Sequence, residues 1–102
     1  MKKNILGVTL ARGGSKGIKN KNLSNINGKP LIYFTIKEAI KCKKITNYIV
    51  STDSLKIKKV AKKYKAETPF IRPKKFSHDR SSSASALKHA LIQCEKIYKK
   101  KF

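Results

Sequence analysis

Almost at its start the chain carries an apolar run, Asn4-Ile5-Leu6-Gly7-Val8-Thr9-Leu10, that stops against a glycine-rich stretch. A short run of this kind, rich in β-branched residues, predicts a buried parallel strand over residues 4–10. Asn27-Gly28-Lys29-Pro30 is a turn signal, and Pro30 stands where proline starts a helix. Beyond it Ile32, Ile36, Ala39 and Ile40 share one face, which predicts a helix to about Lys44. Tyr48-Ile49-Val50-Ser51-Thr52 predicts a second strand. Asp53 or Ser54 then serves as N-cap to a helix with Ile57, Val60, Ala61 and Tyr64 at helical spacing. Residues 67–72 offer a third, short strand, which Pro69 confines to a sheet edge or cuts short. After a loop over residues 73–82, a last helix sets Leu87, Ala90, Leu91, Cys94, Ile97 and Tyr98 on one stripe. Three strand–helix alternations predict an α/β fold: a right-handed, three-layer arrangement with parallel strands, present as a βαβαβα unit.

A chain of 102 residues forms one domain with a modest core, burying about 60–65% of the surface its unfolded form exposes. The composition adds a formal net charge of +21, from 26 basic and 5 acidic side chains. Such a balance points to a polyanionic partner. Yet 23 of the basic residues are lysines, spread over residues 37–44, 56–65 and 96–101, which reads as solvated helix faces and not as a dedicated nucleic-acid patch. No apolar run reaches the ~18 residues that a bilayer requires, and the first ten residues are too short and strand-like for a signal peptide. The expected location is cytoplasmic, with no membrane partner and no specific nucleic acid. Cys42 and Cys94 lack metal-ligand spacing and read as reduced residues on apolar helix faces.

In open parallel sheets ligands bind beyond the carboxyl ends of the strands. Three polar loops follow the three strands: Arg12 to Asn22, Ser51-Thr52-Asp53, and Arg72 to Ser83. The first places Gly13, Gly14 and Gly17 among Arg12, Lys16, Lys19 and Lys21. Glycines let backbone N–H groups approach an anion while the cations supply countercharge, so this loop reads as a phosphate cradle. It has neither the P-loop spacing nor that of the dinucleotide fingerprint. Arg12 can grip phosphate oxygens with two prongs, as lysine cannot. Other residues have plainer readings. A serine among Ser81, Ser82 and Ser83 caps the last helix, Asp53 can cap the second, and Asp79 can anchor its own loop. His78 and His89 have no identifiable partner and receive no catalytic role. Lys19 reads as solvated, and Tyr33, Phe34, Tyr64 and Tyr98 read as packing groups.

The segment Leu10-Ala11-Arg12-Gly13-Gly14-Ser15-Lys16-Gly17-Ile18-Lys19-Asn20-Lys21-Asn22 resembles the first signature of the acylneuraminate cytidylyltransferases, ARxGSKGI..KN. Ser51-Thr52-Asp53 matches that family's STD element, and residues 72–83 are similar to its RPxxLxxDxxSS element. The resemblance implies a Rossmann-like nucleotidyltransferase fold. It also implies transfer of CMP from CTP to a sialic or related nonulosonic acid, with release of pyrophosphate and help from Mg2+. Arg12 and Lys21 would then stabilise charge on the leaving group as the catalytic pair, while Arg12, Ser15, Lys16, Lys21, Asn22, Arg72, Ser81 and Ser83 would bind CTP. Family members are typically homodimers and considerably longer. Their magnesium ligands, sugar pocket and dimerisation elements lie beyond the position of Phe102, so this chain is expected to be the N-terminal nucleotide-binding part. With Glu38, Asp53, Glu67, Asp79 and Glu95 as the only acidic residues, no paired acidic motif offers a metal site, and metal ligands are expected outside the chain. Two other readings stay open: a nucleotide-binding fragment without catalysis, and a basic nucleic-acid-binding protein.

Overall fold

The structure, a computed structural model, describes residues 3–15, 18–19, 21–73, 75 and 83–102, without the side chains of residues 14, 15, 18 and 19. β1 (Leu6–Leu10) leads into two small antiparallel pairings. β2 (Gly14–Ser15) pairs with β3 (Ile18–Lys19), and beyond a 3-10 turn at Lys21–Leu23, β4 (Asn25–Ile26) pairs with β5 (Lys29–Pro30). Asn27 and Gly28 join the last two at φ +51° and +87°, the left-handed backbone that an Asn-Gly hairpin turn provides. Then follow α1 (Leu31–Lys41), β6 (Asn47–Ser51), α2 (Leu55–Lys63) and α3 (Ser83–Tyr98).

β1 and β6 are parallel neighbours, with Leu6 opposite Asn47 and Leu10 opposite Ser51. On the far side of β6, Glu67 makes a single parallel bridge to Ile49. The expected third strand is therefore reduced to one bridge. Val50 donates to the Glu67 carbonyl at 2.9 Å, and two residues after that bridge Pro69 has no N–H with which to extend the ladder. Backbone pairing resumes where Arg72 N–H donates at 2.8 Å to the carbonyl of Thr52, one residue past β6.

Side chains alternate across the sheet and build a core on each face. Ala11 and Val50 pack with Ile32 and Ile36 of α1 and with Ile57 and Ala61 of α2. On the opposite face Ile49, with Leu6 and Val8 partly buried, meets Ala90 and Cys94 of α3. Helices cover both faces, giving the expected three layers. Each fully buried isoleucine here contributes about 1.5–3 kcal/mol.

Several expectations need adjusting. β1 starts at Leu6, not residue 4, and α1 ends at Lys41, three residues early. Cys42 is the exposed C-cap of α1 and does not sit on an apolar face. Ile40 is 52% exposed. On α3 the buried line is Ala86, Ala90 and Cys94, whereas Leu87, Leu91 and Ile97 of the expected stripe are exposed. Small residues let the helix lie close to the sheet, so the large ones are displaced to its flanks.

Candidate nucleotide site at the carboxyl ends of the strands

The chain leaves β1 and β6 on the same side of the sheet, and a short set of hydrogen bonds ties the emerging loops together. Ala11 N–H donates to the Ser51 carbonyl at 2.9 Å, continuing the ladder one step past β1. Gly13 N–H donates to Oδ1 of Asp53 at 2.8 Å. Asp53 therefore does not cap α2. Ser54 does, its Oγ accepting from Ile57 N–H at 3.2 Å. Gly13 has no room for a side chain, because a Cβ there would lie 2.9 Å from Cβ of Ser54.

Arg12 precedes this clasp and is half-buried. Its carbonyl accepts from Nδ2 of Asn22 at 3.3 Å, which brings the 3-10 turn containing Lys21 and Asn22 back over the loop. Lys21 stands on the exposed side of that turn. Arg72 enters from the other direction. It is only 4% exposed and its Nη2 donates to the Ser51 carbonyl at 3.3 Å. Burial draws its guanidinium below the ordinary arginine value, the nearby Asp53 carboxylate opposes that shift, and the charge of Arg12 adds to it. The positive charge of Arg12 is thus felt at Arg72, and among the described residues the Asp53 carboxylate acts on it in the opposite sense. Guanidinium groups have the fork geometry that suits carboxylate and phosphate oxygens.

Arg12, Lys21, Asn22 and Arg72 of the expected residues are brought to one sheet edge. Ser83 is exposed as the first residue of α3. Ser15 lies in β2 with its side chain outside the described residues, as are Lys16 and Ser81 entirely. Asp53 is the residue whose part sequence reasoning missed. Its place in Ser51-Thr52-Asp53 marked it, but helix capping explained it equally well. Among the described residues no group of three or more His, Cys, Asp or Glu could hold a metal ion. Among the described residues Asp53, whose carboxylate already receives Gly13 N–H, is the only acidic residue in this loop network.

The description "Cytidylyltransferase" belongs to the family profile that matches residues 6–100. The chain belongs to the cytidylyltransferase family. It is 40% identical over 95 residues to a CMP-N,N'-diacetyllegionaminic acid synthase of Campylobacter jejuni, covering 93% of this chain and 40% of that protein. It is 37% identical over 91 residues to an N-acylneuraminate cytidylyltransferase of Escherichia coli, covering 89% of the chain and 22% of the relative. A rainbow trout (Oncorhynchus mykiss) N-acylneuraminate cytidylyltransferase is 41% identical over 86 residues, 84% of this chain and 20% of that one. The resemblance read from the loop motifs is thereby met. The solved structure of CMP:2-keto-3-deoxy-manno-octonic acid synthetase complexed with CTP superposes with a TM-score of 0.75 at 21% identity, over 89% of this chain and 35% of that one. At that identity it speaks for the fold, which is the α/β nucleotidyltransferase architecture. The chain spans less than half the length of each of these proteins.

Proposed function

We propose that this cytidylyltransferase segment forms the CTP-binding part of an enzyme that transfers CMP to a sialic or related nonulosonic acid and releases pyrophosphate, in the cytoplasm. The observation that carries the reading is the convergence of Arg12 and the buried Arg72 on the loops tied by Asp53, at the carboxyl ends of two parallel strands. In this reading Arg12 and Lys21 face the triphosphate, where fixed positive charge lowers the energy of the departing pyrophosphate. Asn22 and Arg72 orient the nucleotide, joined by Ser15, Lys16, Ser81 and Ser83. Magnesium, held by ligands outside the described residues, would supply charge neutralisation to the triphosphate.

A second reading is favoured by the coverage of 40% or less in these three relatives: the segment binds nucleotide and the chemistry needs the remaining length. Titration of CTP against ATP, followed by amide shifts, separates these. Saturable binding selective for CTP is expected, weakened at least about 10-fold by Arg12→Ala, the scale of one lost charge-assisted contact. Arg72→Lys, which keeps the charge and loses the fork, should weaken it while the chain stays folded. Equal affinity for both nucleotides would sink the cytidine assignment. CTP binding without pyrophosphate release on adding sugar acid would leave the second reading.

A further inference from the structure

We infer that the cleft between α1 and the C-terminal end of α2 is a docking site for an acidic segment of a partner protein, one that carries an apolar side chain among its carboxylates.

Tyr33, Ile36, Lys37, Ile40 and Lys41 of α1 line the cleft together with Tyr64, around about 260 Å³ of open space. Tyr64 is the C-cap of α2, whereas Ser51-Thr52-Asp53 lies before the N-terminal end of that helix. Nine residues of helix span about 14 Å, so the cleft is set apart from the nucleotide loops. Ile36, which is buried, and Ile40, 52% exposed, give it an apolar side.

The rest of the lining is aromatic and cationic at once. Tyr33 and Tyr64 meet edge to face with centroids 4.9 Å apart. Lys29 Nζ lies 5.2 Å from the ring centre of Tyr33 and 5.8 Å from that of Tyr64. Lys37 Nζ lies 5.7 Å from the centre of Tyr33, and Lys63 Nζ 5.7 Å from that of Tyr64. A ring face attracts an ammonium group and narrows its range of positions, so these charges are held around one opening. Glu38 is the sole acidic residue of α1 and α2, and it pairs with Lys41 at 3.3 Å. Among the described residues no carboxylate pairs with Lys29, Lys37 or Lys63. Cations so placed suit carboxylates that flank an apolar anchor seated in the cleft.

The same contacts decide against nucleic acid. Single strands bind by stacking bases on aromatic faces, and here the faces carry the protein's own lysines while the rings cross at 68°. Stacking a base would first expel an ammonium group. A carboxylate approaches that group from the side away from the ring and leaves the cation–π contact in place.

The test measures fluorescence anisotropy of labelled probes with the 102-residue chain at about 0.15 M sodium chloride, where diffuse attraction is screened. One probe is a short glutamate peptide with a pair of leucines one helical turn apart. A second has serines in their place, and a third is single-stranded oligothymidylate. The leucine peptide should bind at least about 10-fold more tightly than the serine peptide. Lys37→Glu and Ile40→Ser should each weaken it at least about 10-fold. Lys96→Glu makes the same charge change as Lys37→Glu on α3, across the sheet, and should leave binding within about threefold. All three positions are exposed, so each variant should melt like the parent chain. Equal binding of the leucine and serine peptides overturns the inference, as does an equal loss in Lys96→Glu and Lys37→Glu, since either means attraction by diffuse charge. Oligothymidylate binding that is abolished by Lys37→Glu and Ile40→Ser but not by Lys96→Glu overturns it in favour of nucleic acid.

Discussion

Asp53 sits where a negative charge is least expected, in a loop cluster that otherwise gathers guanidinium groups. Its Oδ1 takes the Gly13 N–H at 2.8 Å, which withdraws that donor from any phosphate and fixes the turn that presents Arg12. Asp53→Ala should free Gly13 and loosen the loop, lowering CTP affinity about 10-fold, in line with about 1.5–3 kcal/mol for a hydrogen bond to a charged group. Asp53→Asn keeps an oxygen acceptor and should hold affinity within about threefold. Calorimetry on the two variants checks this, and equal losses in both would show that charge, not the Gly13 bond, is what matters. The cysteines give a second contrast. Burial on the sheet face of α3, reinforced by Glu67, pushes the Cys94 thiol up to about 11, so it carries almost no thiolate at neutral pH. Cys42 is exposed at the end of α1. Iodoacetamide at pH 7.5 should therefore label Cys42 alone in the folded chain, and peptide mass mapping reads the result. Modification of Cys94 at a comparable rate would mean that α3 leaves the sheet.

At the scale of elements, α3 shows how the packing partner decides which side of an amphipathic helix is inside. Ala86, Ala90 and Cys94 are buried, and His89, next in line, places its ring edge-on to Phe70 with centroids 5.1 Å apart. Burial holds the His89 imidazole below its ordinary value, and the charges of Arg72 and Lys75 push the same way. The folded chain then binds fewer protons at His89 than the unfolded chain does. Stability from this group is present above the ordinary histidine value and is lost as pH falls from there toward the folded value. Thermal melts should show Tm falling between about pH 7.5 and pH 5.5, and His89→Gln should flatten that part of the profile. A wild-type profile with the same slope as the variant would assign the acid sensitivity elsewhere. The strands at Leu6–Leu10 and Asn47–Ser51, and the helix capped by Ser54, were legible because each follows from local pattern and capping chemistry. The stripe of α3 was not, since periodicity gives an apolar arc but not its centre. Nor was the loss of the third strand legible in full: Pro69 signalled a short ladder, but the break to a single bridge depends on how the chain leaves Glu67. The glycine-rich loop was read as a phosphate cradle from residue types alone. The clasp from Gly13 to Asp53 was hidden because its ends are forty positions apart.

For the whole molecule the governing quantity is charge. A net +21 is carried on a chain with a radius of gyration of 13.5 Å, and two of its ion pairs, Lys41 with Glu38 at 3.3 Å and Lys101 with Glu95 at 3.8 Å, are exposed at their lysine ends. Pairs of that kind stabilise little. The Debye length is about 30 Å at 0.01 M salt, longer than the radius of gyration, and about 8 Å at 0.15 M. At low salt each lysine is repelled by nearly all the others, and at moderate salt only by its neighbours. Sodium chloride from about 0.01 to 0.15 M should accordingly raise Tm by several degrees, where about 1 kcal/mol corresponds to about 4–8 °C for a domain of this size. The same series separates the two ways an anion can act. General screening depends on ionic strength alone, whereas CTP held at Arg12 and Arg72 should add its own stabilisation at fixed ionic strength, saturating with concentration. Arg12→Ala should remove that second increment and leave the chloride response intact. Nucleic acid should follow the chloride pattern in reverse: adhesion that is strong at 0.01 M and fades by about 0.15 M, the behaviour of a diffuse lysine surface. If instead a nucleic acid stabilised the chain at 0.15 M and CTP did not, the lysines would be the functional surface and the glycine loop would be part of the scaffold.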